Sequence, residues 1–158
     1  MSDIKKFQLM AEAAIAVAAS DGLEDAEIDT VRNIVLNVTF MSNEIKSFFD
    51  AQGIDHNNIN FDEFGEAYDY IVNKDIVEFE SIEVNQEYCD LLIDTLENSP
   101  VLHTICLGMA LAAVHGDGDY SEKEHESFVV LVENLTLADQ NIAGQICAKL
   151  LHNEGIIL

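Results

Sequence analysis

Residues 11–22 read AEAAIAVAASDG, and residues 107–118 read LGMALAAVHGDG. Both are alanine-rich apolar stretches with helical rather than alternating periodicity, and both end in Asp-Gly. Each Asp-Gly leads into acids and then a new amphipathic segment. Glu24, Asp25, Glu27 and Asp29 follow the first; Asp119, Glu122, Glu124 and Glu126 follow the second. The matching slips by one residue when Glu27 is paired with Glu124. The pattern of helix, acidic corner, helix reads as an internal duplication with halves of about 1–75 and 98–158. The competing reading is that two alanine-rich helices end in Asp-Gly independently.

Outward from these segments the 3.6-residue period persists. A first helix is expected from Ser2 as N-cap to Ser20, and a second carries Ile28, Val31, Ile34, Val35 and Val38 on one side. Ser42 is expected to cap a third, with Ile45, Phe48 and Phe49 inward and Gly53 as its stop. A fourth follows Asn60 with Phe61, Phe64, Ala67, Tyr68, Ile71 and Val72. A fifth is expected over 82–98. Ser99-Pro100 starts the sixth, serine at N-cap and proline at N1. Ser121 and Glu124 have capping-box spacing for the seventh, with Phe128, Val129, Val132 and Leu135 inward. Thr136 is expected to cap an eighth that ends near Gly155. Loops are short and no linker divides the chain. The expectation is an all-α, compact single domain, 1–158, of seven to eight helices.

Composition narrows the function classes. The 158 residues carry 30 acids against 7 bases, a net charge of −23, yet 49% are hydrophobic. The apolar content excludes a disordered acidic tail. The charge argues against nucleic acid, whose phosphates need a basic footprint, and against anionic membrane surfaces. No apolar run approaches the ~20 residues of a membrane span. Lys5 and Lys6 before the apolar run 13–19 imitate a signal peptide, but Glu12 at its edge and the recurrence of a similar segment deep in the chain argue against one. A cytoplasmic location is expected. Three cysteines, Cys89, Cys106 and Cys147, do not make a disulfide framework and read as small core residues without basic neighbours to activate them.

A small apolar helix, then Asp-Gly, then an acid six or seven residues on at the next helix start resembles the TerB-like tellurite-resistance family. Here the motif reads Ala19-Ser20-Asp21-Gly22 with Glu27, and again His115-Gly116-Asp117-Gly118 with Glu124. The familiar Ala-Asp-Gly is altered to Ser-Asp-Gly and Gly-Asp-Gly. The resemblance covers most of the chain and implies a single all-helical domain with internal pseudo-symmetry. It also implies a bacterial cytoplasmic protein of tellurite or general chemical-stress resistance, with acidic corners that bind metal ions. A similar domain occurs fused to co-chaperones of the DnaJ type. No enzyme reaction follows from it.

The residues themselves offer two site candidates. Carboxylates gathered at a turn suit the hard cations calcium, magnesium and manganese. The first corner supplies Asp21, Glu24 and Glu27. The second supplies Asp117, Asp119 and Glu124, and its His115 would also admit zinc. Helix caps and the helix dipole favour the same acids by about 0.3–1 kcal/mol each without any metal, so both readings stand. Neither of two stretches that resemble an EF-hand is one: from Asp117 the sixth position is Glu122 and the twelfth is Phe128, and for the stretch ending at 59–64 the first, third and fifth positions would be Gln52, Ile54 and His56. The second candidate is an acidic stripe, Glu80, Glu83, Glu87, Asp90, Asp94 and Glu97, spaced 3, 4, 3, 4 and 3 along the expected fifth helix. It reads either as a solvated face or as a ridge for a basic protein partner. There is no nucleotide fingerprint, nucleophile elbow or HisExxHis pair. The expected function is non-enzymatic: a TerB-like, divalent-cation-binding stress-resistance domain, or an acidic interaction module that recognises a basic partner without specific metal. Oligomeric state is not legible.

Overall fold

A computed structural model describes residues 3–20, 22, 25–116 and 121–153, with the side chains of 25–27 and 76 left aside. Its described residues form nine helices and no strand: α1 Ile4–Ala18, α2 Asp25–Leu36, α3 Ser42–Ala51, α4 Glu63–Val72, α5 Ile76–Glu80, α6 Gln86–Leu96, α7 Pro100–Gly116, α8 Glu122–Asn134 and α9 Gln140–Asn153. The all-α expectation holds. None of these helices is long and apolar enough to cross a membrane.

α7 is the axis of the fold. Residues 101–110 are all buried, so this helix shows no polar face until Leu111 and His115. A helix apolar all round must be surrounded. α1, α2 and α9 surround α7, with α8 touching it lightly, while α4 lies on the far side of α1. The two quoted stretches therefore meet at the centre. Their small residues make that possible. A Cβ on Gly108 would stand 2.8 Å from Ile146 Cγ2 and 3.1 Å from the Ala143 carbonyl oxygen, so α7 and α9 touch there backbone to side chain. A Cβ on Gly116 would run into Ile34 Cδ1 of α2.

The helix ends follow local chemistry. Ser99 Oγ accepts the Leu102 N–H at 3.2 Å, with Pro100 the first residue of α7, as expected. Ser121 Oγ accepts the Glu124 N–H at 3.1 Å, so α8 is capped as its spacing suggests. Gly53, at φ +70°, closes α3 in a Schellman turn: Ile54 N–H bonds Phe49 O at 3.0 Å and Gly53 N–H bonds Asp50 O at 3.1 Å.

Several expectations are corrected. The expected helix over 82–98 is the shorter α6, and a separate short helix that was not expected, α5, precedes it across residues 81–85. The Asn85 side chain takes the Tyr88 N–H at 3.0 Å and starts a new helix, a local bond that periodicity does not register. Thr136 is exposed and does not cap α9; Asp139 does, its Oδ1 accepting the Ile142 N–H at 3.0 Å. The reason lies on α7. Thr104 Oγ1 accepts the Asp139 N–H at 2.9 Å and His103 Nδ1 accepts the Leu137 N–H at 3.4 Å, which fixes the chain three residues later than expected. On α8 the buried face is Glu124, Leu131 and Leu135, with Phe128 half-buried; Val129 and Val132 are also only half-buried. Val72 is exposed at the end of α4. Ser2 and Gly155 lie outside the described residues.

Gly108→Ala is expected to destabilise the protein by about 1–3 kcal/mol through overpacking. Gly144→Ala, on α9 with nothing within 4 Å of the added Cβ, is expected to stabilise it by about 0.5–1 kcal/mol. Urea denaturation of the pair checks both signs.

Candidate functional site

The first acidic corner begins where α1 frays. Ser20 Oγ donates to Val17 O at 2.7 Å, and Gly22 takes φ +89° with its N–H on Ala19 O at 2.9 Å. Asp21 and Glu24 lie outside the described residues, as does the Glu27 side chain. At the second corner α7 runs to Gly116, and Asp117 and Asp119 lie outside the described residues. His115 is exposed at the end of α7. Glu124 is wholly buried, at 0% exposure. Its position as third residue of α8 satisfies the capping spacing, and it falls seven residues before Leu131, on the inward stripe. Among the described residues no group of three or more His, Cys, Asp or Glu is placed to hold a metal ion.

The acidic stripe does not form one helical ridge. Glu80 ends α5, Glu83 lies in the 81–85 segment, and only Glu87, Asp90 and Asp94 share a face of α6. Leu91 is 58% exposed beside them. Glu97 lies one residue past the end of α6 with φ +57° and ψ −149°, a backbone region suited to glycine. Its N–H on Ile93 O at 2.9 Å and the His103 ring, Nε2 to its carbonyl oxygen at 3.2 Å, hold it there. Its carboxylate is 3.8 Å from Lys6 Nζ and largely in solvent. Glu97 therefore ends a helix and borders a cavity of about 510 Å³ between the start of α1, residues 54–59 and the start of α7.

The break at 81–85 has a consequence for Glu80 and Glu83. It folds them towards α8, whose Glu126 and Glu133 face them across a groove of about 560 Å³. Ile82, Val84 and Val130 supply its apolar lining. A reciprocal amide pair joins α6 to α8 beside it: Gln86 Nε2 donates to Asn134 Oδ1 at 2.8 Å, and Asn134 Nδ2 donates to Gln86 Oε1 at 3.3 Å. Sequence reading missed this groove because it assigned all six stripe acids to one helix.

A second cluster that sequence reading missed surrounds Glu12. Placed among the alanines of α1 and 9% exposed, its carboxylate accepts from Tyr70 Oη and Tyr88 Oη, each at 2.9 Å, and from Lys74 Nζ at 3.1 Å. Arg32 in turn donates to the Lys74 carbonyl oxygen and lies 5.7 Å from the Phe79 ring centre. Burial works against the Lys74 charge, but the Tyr70 and Glu12 hydrogen bonds outweigh it and hold its pKa above the ordinary 10.5. Burial, then the charge and hydrogen bond of Glu12, pushes the Tyr88 phenol above its ordinary 10.0. These groups keep their protons at neutral pH and tie α1, α2, α4 and α6 together. The arrangement is a satisfied buried network rather than an acid–base pair poised for catalysis.

The cysteines are free and buried. Burial raises Cys89 to about 11, Cys106 to about 12 and Cys147 to about 11, with small further contributions from Asp90 on Cys89 and Cys89 on Cys106. Their thiolate populations at neutral pH are far below that of a free cysteine.

The chain matches no family model, no curated protein and no solved structure.

Two outcomes follow. Tyr88→Phe is expected to cost about 1–2 kcal/mol at neutral pH by removing one bond to Glu12. It should also flatten the alkaline limb of the stability profile. Lys74 and Tyr88 both have raised folded pKa values, so their contributions are complete below 10.0 and fall as pH rises past it. On the acid side burial lowers the His103 pKa, so its share is complete above 6.5 and falls below that. Urea titrations from about pH 5 to pH 11 resolve both limbs. Separately, Glu97→Gly is expected to raise stability by about 1 kcal/mol, because relief of the positive φ exceeds the loss of one long, exposed ion pair. An unchanged or lower thermal midpoint would contradict it.

Proposed function

We propose that this chain is a non-enzymatic, TerB-like binding domain that takes a divalent cation at its Asp-Gly corners. The single observation that carries the reading is the repeated corner: an alanine-rich helix, then Asp-Gly, then an acid at the start of the next helix, as in His115-Gly116-Asp117-Gly118 with Glu124. Carboxylates gathered at such a turn with a histidine beside them have the chemistry to take a hard cation or zinc. The first corner, with Asp21, Glu24 and Glu27, is its counterpart in the duplicated motif. The resemblance supplies the setting: a bacterial cytoplasmic protein of tellurite or general chemical-stress resistance. The raised cysteine pKa values favour binding over thiol chemistry on tellurite.

Thermal unfolding after chelation tests the proposal, with calcium, magnesium, manganese or zinc added back separately at moderate salt. A ligand bound only by the native state at about 100 times its Kd adds about 2.7 kcal/mol. For a chain of this size that is a rise of about 5–10 °C in Tm. One ion is expected to give that rise, and Asp117→Asn to abolish it. A small rise shared by all four ions and untouched by Asp117→Asn would be screening of the −23 charge, and the corner proposal would fall.

A further inference from the structure

We infer that the groove between residues 80–86 and α8 is a docking site for a basic amphipathic helix of a protein partner. This inference is independent of any cation at the corners. α8 presents two neighbouring stripes. Glu124, Phe128, Leu131 and Leu135 face the core. Lys123, Glu126, Ser127, Val130 and Glu133, related by three- and four-residue spacings to one another, lie along the adjacent face and line the groove. α8 is held to the rest of the protein only lightly, through α6, α1 and α7, and its half-buried apolar residues extend beyond the core stripe.

The chemistry of the lining selects the occupant. The half-buried Ile82 and Val130, with the buried Val84 beneath, form an aliphatic floor, and Glu80 and Glu83 on one wall face Glu126 and Glu133 on the other. Four carboxylates stand against one ammonium, that of Lys123. A helix with an aliphatic stripe flanked on both sides by lysine or arginine complements this lining in shape and charge. A second copy of the chain does not, because each copy carries −23. α8 is 13 residues, about 20 Å, long enough to lie beside several turns of a partner helix. The Gln86–Asn134 amide pair ties the start of α6 to the end of α8, joining the two walls.

The test is a fluorescence-anisotropy titration of the full chain, in chelator and at about physiological salt. The probe is a labelled synthetic helix carrying a leucine stripe flanked by lysines. Three comparisons accompany it: a peptide of the same composition with the leucines scattered round the helix, the variant E126Q/E133Q, and the variant E87Q/D94Q. All four substituted residues are exposed, and both variants lose two charges, so the second controls for bulk charge. The expected results are saturable binding, a loss of about tenfold in E126Q/E133Q and less than twofold in E87Q/D94Q. The scattered peptide is expected to bind at least about tenfold more weakly than the striped one. Equal losses in the two variants, or equal affinity for the two peptides, would reduce the effect to diffuse charge and overturn the inference. Spermine binding as tightly as the striped peptide, with the same dependence on Glu126 and Glu133, would also overturn it and make the groove a small polycation site. Because chelator is present throughout, the result is separable from the thermal test of the corners.

Discussion

The rest of this structure depends on how closely other helices approach α7. Gly108 lets Ile146 and the Ala143 carbonyl reach the α7 backbone, and Gly116 admits Ile34. α1 presents alanine at 11, 13, 14, 16 and 18, and Ala19 follows at its C-cap, all buried. Small residues bring helix axes together, so that dispersion contacts are dense and apolar surface is removed from water on every side of α7. This packing leaves no room for polar groups that lack a partner. The polar residues that do enter the centre meet that condition. Thr104 donates to Pro100 O at 2.6 Å and accepts from Asp139 N–H, and the His103 ring is bonded at both nitrogens.

Glu12 follows the same rule at higher stakes. A carboxylate in an alanine-rich helix at the core boundary would be prohibitive alone. Two tyrosine hydroxyls and an ammonium converge on it from α4, α6 and the turn after α4, and their geometry fixes where those elements can lie on α1. The residue that argues in the sequence against a signal peptide is thus the one that orients the outer layer. Two tyrosines, a lysine and a glutamate this far apart in the chain carry no spacing signal. Only folding brings them together.

The core accepts few of the chain's acids, so most remain outside, and the break between α5 and α6 distributes them. Had residues 80–98 formed one helix, the six stripe acids would share a single solvated face. Asn85 takes the Tyr88 N–H instead, and Glu80 and Glu83 turn to oppose Glu126 and Glu133. A ridge becomes a groove with an aliphatic lining. The Asn85 cap contributes about 1 kcal/mol to the start of α6 at that point. Its effect on what the surface can recognise is much larger.

What the sequence determined by itself is the local part. The helical period, the Ser99-Pro100 and Ser121 caps and the Gly53 stop arise from interactions within a few residues, and they are found where the spacing put them. The burial of the stretch at 107–114 was legible from its composition, because a segment apolar on all sides has nowhere else to go. The corner carboxylates were legible as candidates from their position after Asp-Gly, and Glu124 as an inward carboxylate was not, because the capping position and the core stripe coincide only once α8 is docked. Tertiary structure alone decided the start of α9 at Asp139, the partners of Glu12 and the opposing walls of the groove. Each joins residues tens of positions apart through contacts whose free energy exists only after the chain has closed on α7, and no window of sequence contains both sides of them.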